Sequence, residues 1–172
     1  MKSDRERTPS FIVHADEVAE EEGRYRPPFD AEGLSFGREL GRAAGALKLG
    51  VSRERLPPGR RTSFTHAHSK EEEFVYVLEG ECVLRIVQPG EPFREILLRA
   101  GHAVSFLAGT RIAHCAWNRG DRDCLLLVVA ARDDADRVYY PEDREFDAHV
   151  AEHRPDRWWK EGSSNPAPGS GP

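Results

Sequence analysis

Between positions 45 and 130, apolar residues recur at every second position in short runs cut by turn residues, and no long helical pattern intervenes. Leu47, Leu49 and Val51 alternate, as do Val75 and Val77, Leu84 and Ile86, Val104 and Phe106, and Leu125, Leu127 and Val129. A period of two sends successive side chains to opposite faces of a strand. The runs break at Pro57-Pro58-Gly59, Glu79-Gly80, Pro89-Gly90-Glu91-Pro92, Ala100-Gly101, Ala108-Gly109-Thr110 and Asn118-Arg119-Gly120-Asp121, where Gly, Pro and Asn supply the backbone angles of tight turns. Many short strands at this spacing form an antiparallel sandwich or barrel. Closure also removes the exposed edges that would otherwise pair with another chain. The predicted fold class is therefore all-β, an antiparallel barrel.

The 172 residues suffice for one core and not for two. A mean hydropathy of −0.64 is polar for a globular chain, and the polarity is concentrated at the ends. The pattern predicts an N-terminal arm over 1–42, with a short helix over 15–22, and a barrel core over 43–132. A C-terminal extension over 133–160 carries Tyr139, Tyr140, Trp158 and Trp159, and is expected to pack on the barrel or on a neighbouring subunit. The stretch 161–172 is rich in Gly, Ser and Pro without an apolar anchor, the composition of a disordered tail.

A formal net charge of −5 with acids and bases interspersed leaves no basic stripe for phosphates, so no nucleic-acid partner is expected. No run approaches the roughly 20 apolar residues of a membrane span, and the start is charged without an apolar stretch, so the expected location is cytoplasmic, with no membrane partner. Cys82, Cys115 and Cys124 are an odd set without a CxxC pair, which predicts reduced, mostly buried thiols.

The chemistry concentrates on four residues. His66 and His68, one residue apart in a predicted strand, leave the same face and can grip one ion together. Glu73 opens the next strand in phase with Val75 and Val77, the face assigned to the interior. His114 begins a further strand, where alternation aims His114, Ala116 and Asn118 inward and Cys115 and Trp117 outward. Three imidazoles and one carboxylate thus converge, a donor set suited to one divalent transition metal, Fe, Mn, Ni, Cu or Zn. Four protein ligands on an octahedral ion leave two positions open, as a catalytic centre requires. Glu72 has the opposite strand phase to Glu73, and Glu71 falls in the loop. His14, His102, His149 and His153 have no partners of the same kind, and Arg85 and Arg111 read as solvated. Cys82 shares the inward face of Leu84 and Ile86 and reads as a small core residue.

The segment from Gly59 to Gly80, GRRTSFTHAHSKEEEFVYVLEG, resembles the first cupin motif, a glycine, then HxH, then after four intervening residues a glutamate (Glu73) and after six more a glycine (Gly80). The segment from Gly101 to Asn118, GHAVSFLAGTRIAHCAWN, is similar to the second, with Leu107 where proline is usual and four residues between Gly109 and His114 instead of two. The longer loop, together with the stretches EEEFVYVLEGE and DRVYYP, resembles a subgroup of small bacterial cupins. The resemblance implies a double-stranded β-helix (jelly roll) with a metal near one open end, commonly as a homodimer; Phe74, Tyr76 and Trp117 offer an outward apolar surface for one. It also implies a small-molecule ligand or substrate. Dioxygenase, isomerase or lyase chemistry on a small oxygenated metabolite fits such a centre, and so does a non-catalytic barrel that binds a sugar or small acid.

Overall fold

The computed structural model describes residues 9–160. The expected tail at 161–172 lies outside the described residues. Eleven strands and two short α-helices follow in the order β1 (Glu21–Glu22), β2 (Phe36–Glu39), α1 (Leu40–Ala43), β3 (Leu49–Leu56), β4 (Ala67–His68), β5 (Glu73–Glu79), β6 (Glu81–Val87), β7 (Arg94–Arg99), β8 (Ala103–Phe106), β9 (Ala113–Trp117), β10 (Cys124–Ala131), β11 (Val138–Tyr139) and α2 (Arg144–His153). One six-stranded sheet runs β1-β2-β3-β10-β5-β8, and a second runs β7-β6-β9. The pair β11-β4 adjoins β9 through an antiparallel bridge between His66 and His114. All the paired strands are antiparallel.

The core lies between the two sheets. Leu56, Val77, Phe106, Cys124 and Leu126 come from one sheet and Cys82, Leu84, Leu98 and Ala116 from the other, all buried. Each large aliphatic side chain so buried contributes about 1.5–3 kcal/mol. The expected all-β, double-stranded β-helix architecture is the one observed, and the three thiols are free and buried. Gly80 makes the β5–β6 turn with φ +75°, and a Cβ there would sit 2.7 Å from the Asp123 carbonyl oxygen. No other residue tolerates both conditions.

The helix expected over 15–22 is not formed. Only Ala15–Glu17 make a 3-10 turn, and Glu21–Glu22 are extended, paired with Phe36 and Gly37. Five of those eight residues are acids, which repel one another along a helix. The turn and the extended path after it instead bring Asp16 within 3.1 Å of Arg53, Glu20 within 2.8 Å of Arg55 and Glu22 within 2.6 Å of Arg60. Strand β3 also departs from the simple alternation: Leu47 and Leu49 are exposed, and Ser52, Glu54 and Leu56 take the inner face.

Residues 133–160 wrap the outside of β4 and β9. Phe146 of α2 packs against Tyr25, Phe29 and Phe64 at ring-centroid distances of 4.7, 5.0 and 5.0 Å. Trp159 is buried against Ala67 and Ala113, and Glu142 accepts hydrogen bonds from Thr65 Oγ1 and Arg85. Cys115 does leave β9 on the face opposite His114, yet it is buried, because the Thr65 segment covers that face with Thr65 Oγ1 3.5 Å from its sulfur. No helix among the described residues is long and apolar enough to cross a membrane.

Candidate metal centre

His66 and His114 are fixed opposite one another by their own backbones. The His66 amide donates to the His114 carbonyl at 3.1 Å, and the His114 amide donates back at 2.8 Å. Their rings lie 5.2 Å apart, and the His68 ring stands 4.9 Å from that of His66. Glu73 enters from β5, whose register pairs it with Phe106 of β8. The Phe106 ring stacks flat on His114 at 3.3 Å, which holds that imidazole facing Glu73. Glu73 Oε2 is 2.9 Å from His114 Nε2 and 4.0 Å from His66 Nε2. One ligand atom each from His66, His68 and Glu73 falls within 4.8 Å of the others. The structure thus brings all four sequence-predicted residues together, with His114 joined to the group through Glu73.

Each imidazole is oriented by a partner on Nδ1. That of His66 lies 2.8 Å from the Phe64 carbonyl and 3.1 Å from Ser63 Oγ, that of His68 2.7 Å from Asp136 Oδ2, and that of His114, more loosely, 3.5 Å from the Ile112 carbonyl. Rings held this way donate from Nδ1 and turn Nε2 toward a metal, the second-layer arrangement that metal-ligating histidines need. Burial, reinforced by the neighbouring His68 and His114, holds His66 well below the ordinary imidazole range, so it is neutral and able to ligate. Burial disfavours charge on Glu73, but the hydrogen bond from His114 and the surrounding imidazoles prevail and keep it ionised. For His68, burial lowers proton affinity while Asp136 raises it by more. The residues fit a divalent transition metal by donor chemistry, three imidazole nitrogens and one carboxylate in a fixed orientation, with binding displacing any proton on a ligating nitrogen.

Asp136 is a functional residue that strand periodicity alone missed. It is fully buried, and besides His68 it accepts hydrogen bonds from the Lys70 amide at 2.8 Å and from Ser69 Oγ at 3.2 Å. Its signal was present in the DRVYYP stretch, of which it is the first residue. His68, Glu71 and Asp136 also lie within 4.8 Å of one another. With Asp136 committed to backbone and serine donors, this second cluster reads as the support of His68. Glu54 is the other residue missed. Its carboxylate lines a chamber of about 130 Å³ together with His66, Glu73 and His114, and it accepts hydrogen bonds from Ser35 at 2.7 Å and Ser52 at 3.1 Å. Burial raises its pKa, and the nearby Glu73 and Glu39 add to the effect. Nothing in the run Ser52-Arg53-Glu54-Arg55 distinguishes Glu54 from a surface acid until the register of β3 is known. Arg85 and Arg111, by contrast, are engaged in packing, Arg85 with Glu142 and Glu95 and Arg111 over Trp159.

Residues 52–130 match the family model described as the cupin domain. Among solved structures, a sugar phosphate isomerase of the cupin superfamily from Silicibacter pomeroyi is 30% identical, with a TM-score of 0.69 over 76% of this chain and 82% of its own. This chain belongs to the cupin superfamily. A neighbour from Acidithiobacillus ferrooxidans, proposed to be a sugar phosphate isomerase, is 27% identical over 77% of this chain and 81% of its own, with a TM-score of 0.66. A polyketide cyclase from Streptomyces resistomycificus shares the fold at 24% identity, with a TM-score of 0.58 over 86% of this chain and 98% of its own. No curated protein matches this cupin.

Proposed function

We propose that this cupin is a metal-dependent enzyme acting on a small oxygenated metabolite, with the metal held by His66, His68, Glu73 and His114. The observation that carries the reading is the Nδ1 pattern. Three imidazoles each have that nitrogen tied to an oxygen partner, and the three rings gather around one half-buried carboxylate, Glu73. A polar cluster with a purely structural role has no need to orient three rings toward one point. When bound, a divalent ion of this kind polarises a carbonyl or hydroxyl oxygen. The chain itself supplies the rest. Phe106, Leu84, Leu98 and Leu126 line the chamber and exclude water, which strengthens every charge interaction within it. Asp136 holds the His68 ring, and Glu54 adds a hydrogen-bonding carboxyl to the chamber wall from β3, two strands from Glu73 in the same sheet.

Isomerase chemistry is the form best supported, since two neighbours, at 30% and 27% identity, carry sugar phosphate isomerase names. Metal analysis of protein purified without a histidine tag tests the centre. About one equivalent of transition metal is expected in the wild type, with most of it lost from His66→Ala. Content below about a tenth of an equivalent, with none gained on reconstitution, would overturn the reading. Unchanged content in His66→Ala would place the metal elsewhere.

A further inference from the structure

The chamber at the histidines is not isolated from the surface. Between the N-terminal arm and the barrel runs a groove of about 520 Å³, and Glu54 and Thr62 line both it and the inner chamber. Those two side chains stand at the neck between the two spaces. The groove beyond them is lined by Glu21, Glu22 and Glu39 against the single cation Arg42. Glu22 is neutralised by Arg24 and Arg60 and Glu39 is paired at 3.5 Å with Arg132, but Glu54 bonds two serines, and among the described residues no cation pairs with it.

This distribution selects by charge. A phosphate ester lying in the groove brings about two negative charges toward Glu54, which has no compensating cation, in a partly desolvated space. Hydroxyl groups donate to the same carboxylate without repulsion, and Thr62 offers a hydroxyl of its own. At the inner end the requirement reverses, because a divalent ion on Glu73 leaves net positive charge that favours a pair of ligand oxygens. We propose that chamber and groove form one two-part site for an uncharged, hydroxyl-rich compound such as a free sugar or polyol, held at the neck by Glu54 and Thr62. The inner half of the proposal rests on the metal-centre reading above. It separates this chain from a sugar phosphate preference, since the non-reacting end of the ligand lies among carboxylates.

Calorimetry and ligand-observed NMR on zinc-loaded full-length protein test it, with D-xylose, D-fructose and xylitol as probes and D-fructose 6-phosphate as the charged counterpart. At least one uncharged probe should bind, and the phosphorylated sugar about tenfold or more weaker. Glu54→Leu should weaken the uncharged probe by about tenfold while leaving metal content unchanged. Glu54→Gln, which keeps partners for Ser35 and Ser52, should lose less. If Glu54→Leu does not fold, Thr62→Val carries the same expectation of weakened binding at full metal content. Absence of binding by every uncharged probe, equal or tighter binding of the phosphorylated sugar, or a variant series with unchanged affinity would each overturn the proposal. Metal content measured on the same samples keeps the two readings apart. Sugar binding that depends on Glu54 in protein unable to take up metal would overturn the metal centre and leave the groove standing.

Discussion

Glu54 meets two serine hydroxyls and two negative neighbours, Glu73 and Glu39, and its folded pKa lies above the ordinary carboxyl value because of burial first and those charges second. The folded state therefore holds this proton more tightly than the unfolded chain does. Its contribution to stability is present below the ordinary carboxyl pKa and is lost as pH rises through the raised folded value. Glu54→Gln carries no proton to lose, so its melting temperature relative to wild type should climb as pH is raised from about 5 to 8. A difference that stays flat across that range would show that Glu54 ionises normally. Asp136 works in the opposite sense: burial opposes its charge, but His68 and the Lys70 and Glu71 amides lower its pKa and keep it ionised. Asp136→Asn sets an amide donor against the His68 Nδ1 proton or gives up the Lys70 amide. Either outcome loosens the ring, and metal affinity measured by chelator competition should fall by about 10- to 100-fold.

Asn118 shows how one side chain can tie three elements. At the end of β9 it is fully buried, donates from Nδ2 to the Leu56 and Arg122 carbonyls at 2.7 Å each, and accepts from the Gly120 amide at 2.9 Å. It thus pins the end of β3 and the β9–β10 turn together. Asn118→Ala strands those groups without water, at about 1–3 kcal/mol for each one left unmet. Urea unfolding should show a lowered midpoint with an unchanged slope, since the surface exposed on unfolding stays the same. The inward phase of Asn118, like those of His114 and Glu73, was legible in the sequence because β5 and β9 have apolar neighbours that declare which face is buried. Strand β3 was not legible in the same way. Its inner face carries Ser52 and Glu54 because it lines a polar space, so the alternating apolar signal vanishes where the functional cavity begins. The short β1 was hidden for a different reason, since pairings of Glu20 and Glu22 with arginines far along the chain decide its path.

At the scale of the whole molecule, the arm and the extension close over a barrel whose surface still exposes Phe74 and Leu78 of β5 and Ile96 and Leu97 of β7. Trp117 is a weaker part of that surface than its strand phase suggested, since Arg61 and Arg119 lie over its ring. A homodimer through the β5 face predicts twice the monomer mass by light scattering and a shift to monomer in Phe74→Glu. Metal should couple to the stability of this entire assembly. The four proposed ligands come from β4, β5 and β9 and the residue preceding β4, elements that the unfolded chain separates by up to 48 positions between His66 and His114. Binding energy at such a site is therefore folding energy. At metal concentrations about a thousandfold above Kd, linkage contributes about 4 kcal/mol, which for a chain of this length raises Tm by about 10 °C. Removing metal with a chelator should reverse the shift, and His66→Ala should show little of it. A wild-type Tm indifferent to both zinc and chelator would mean that the four residues hold one another in place without an ion.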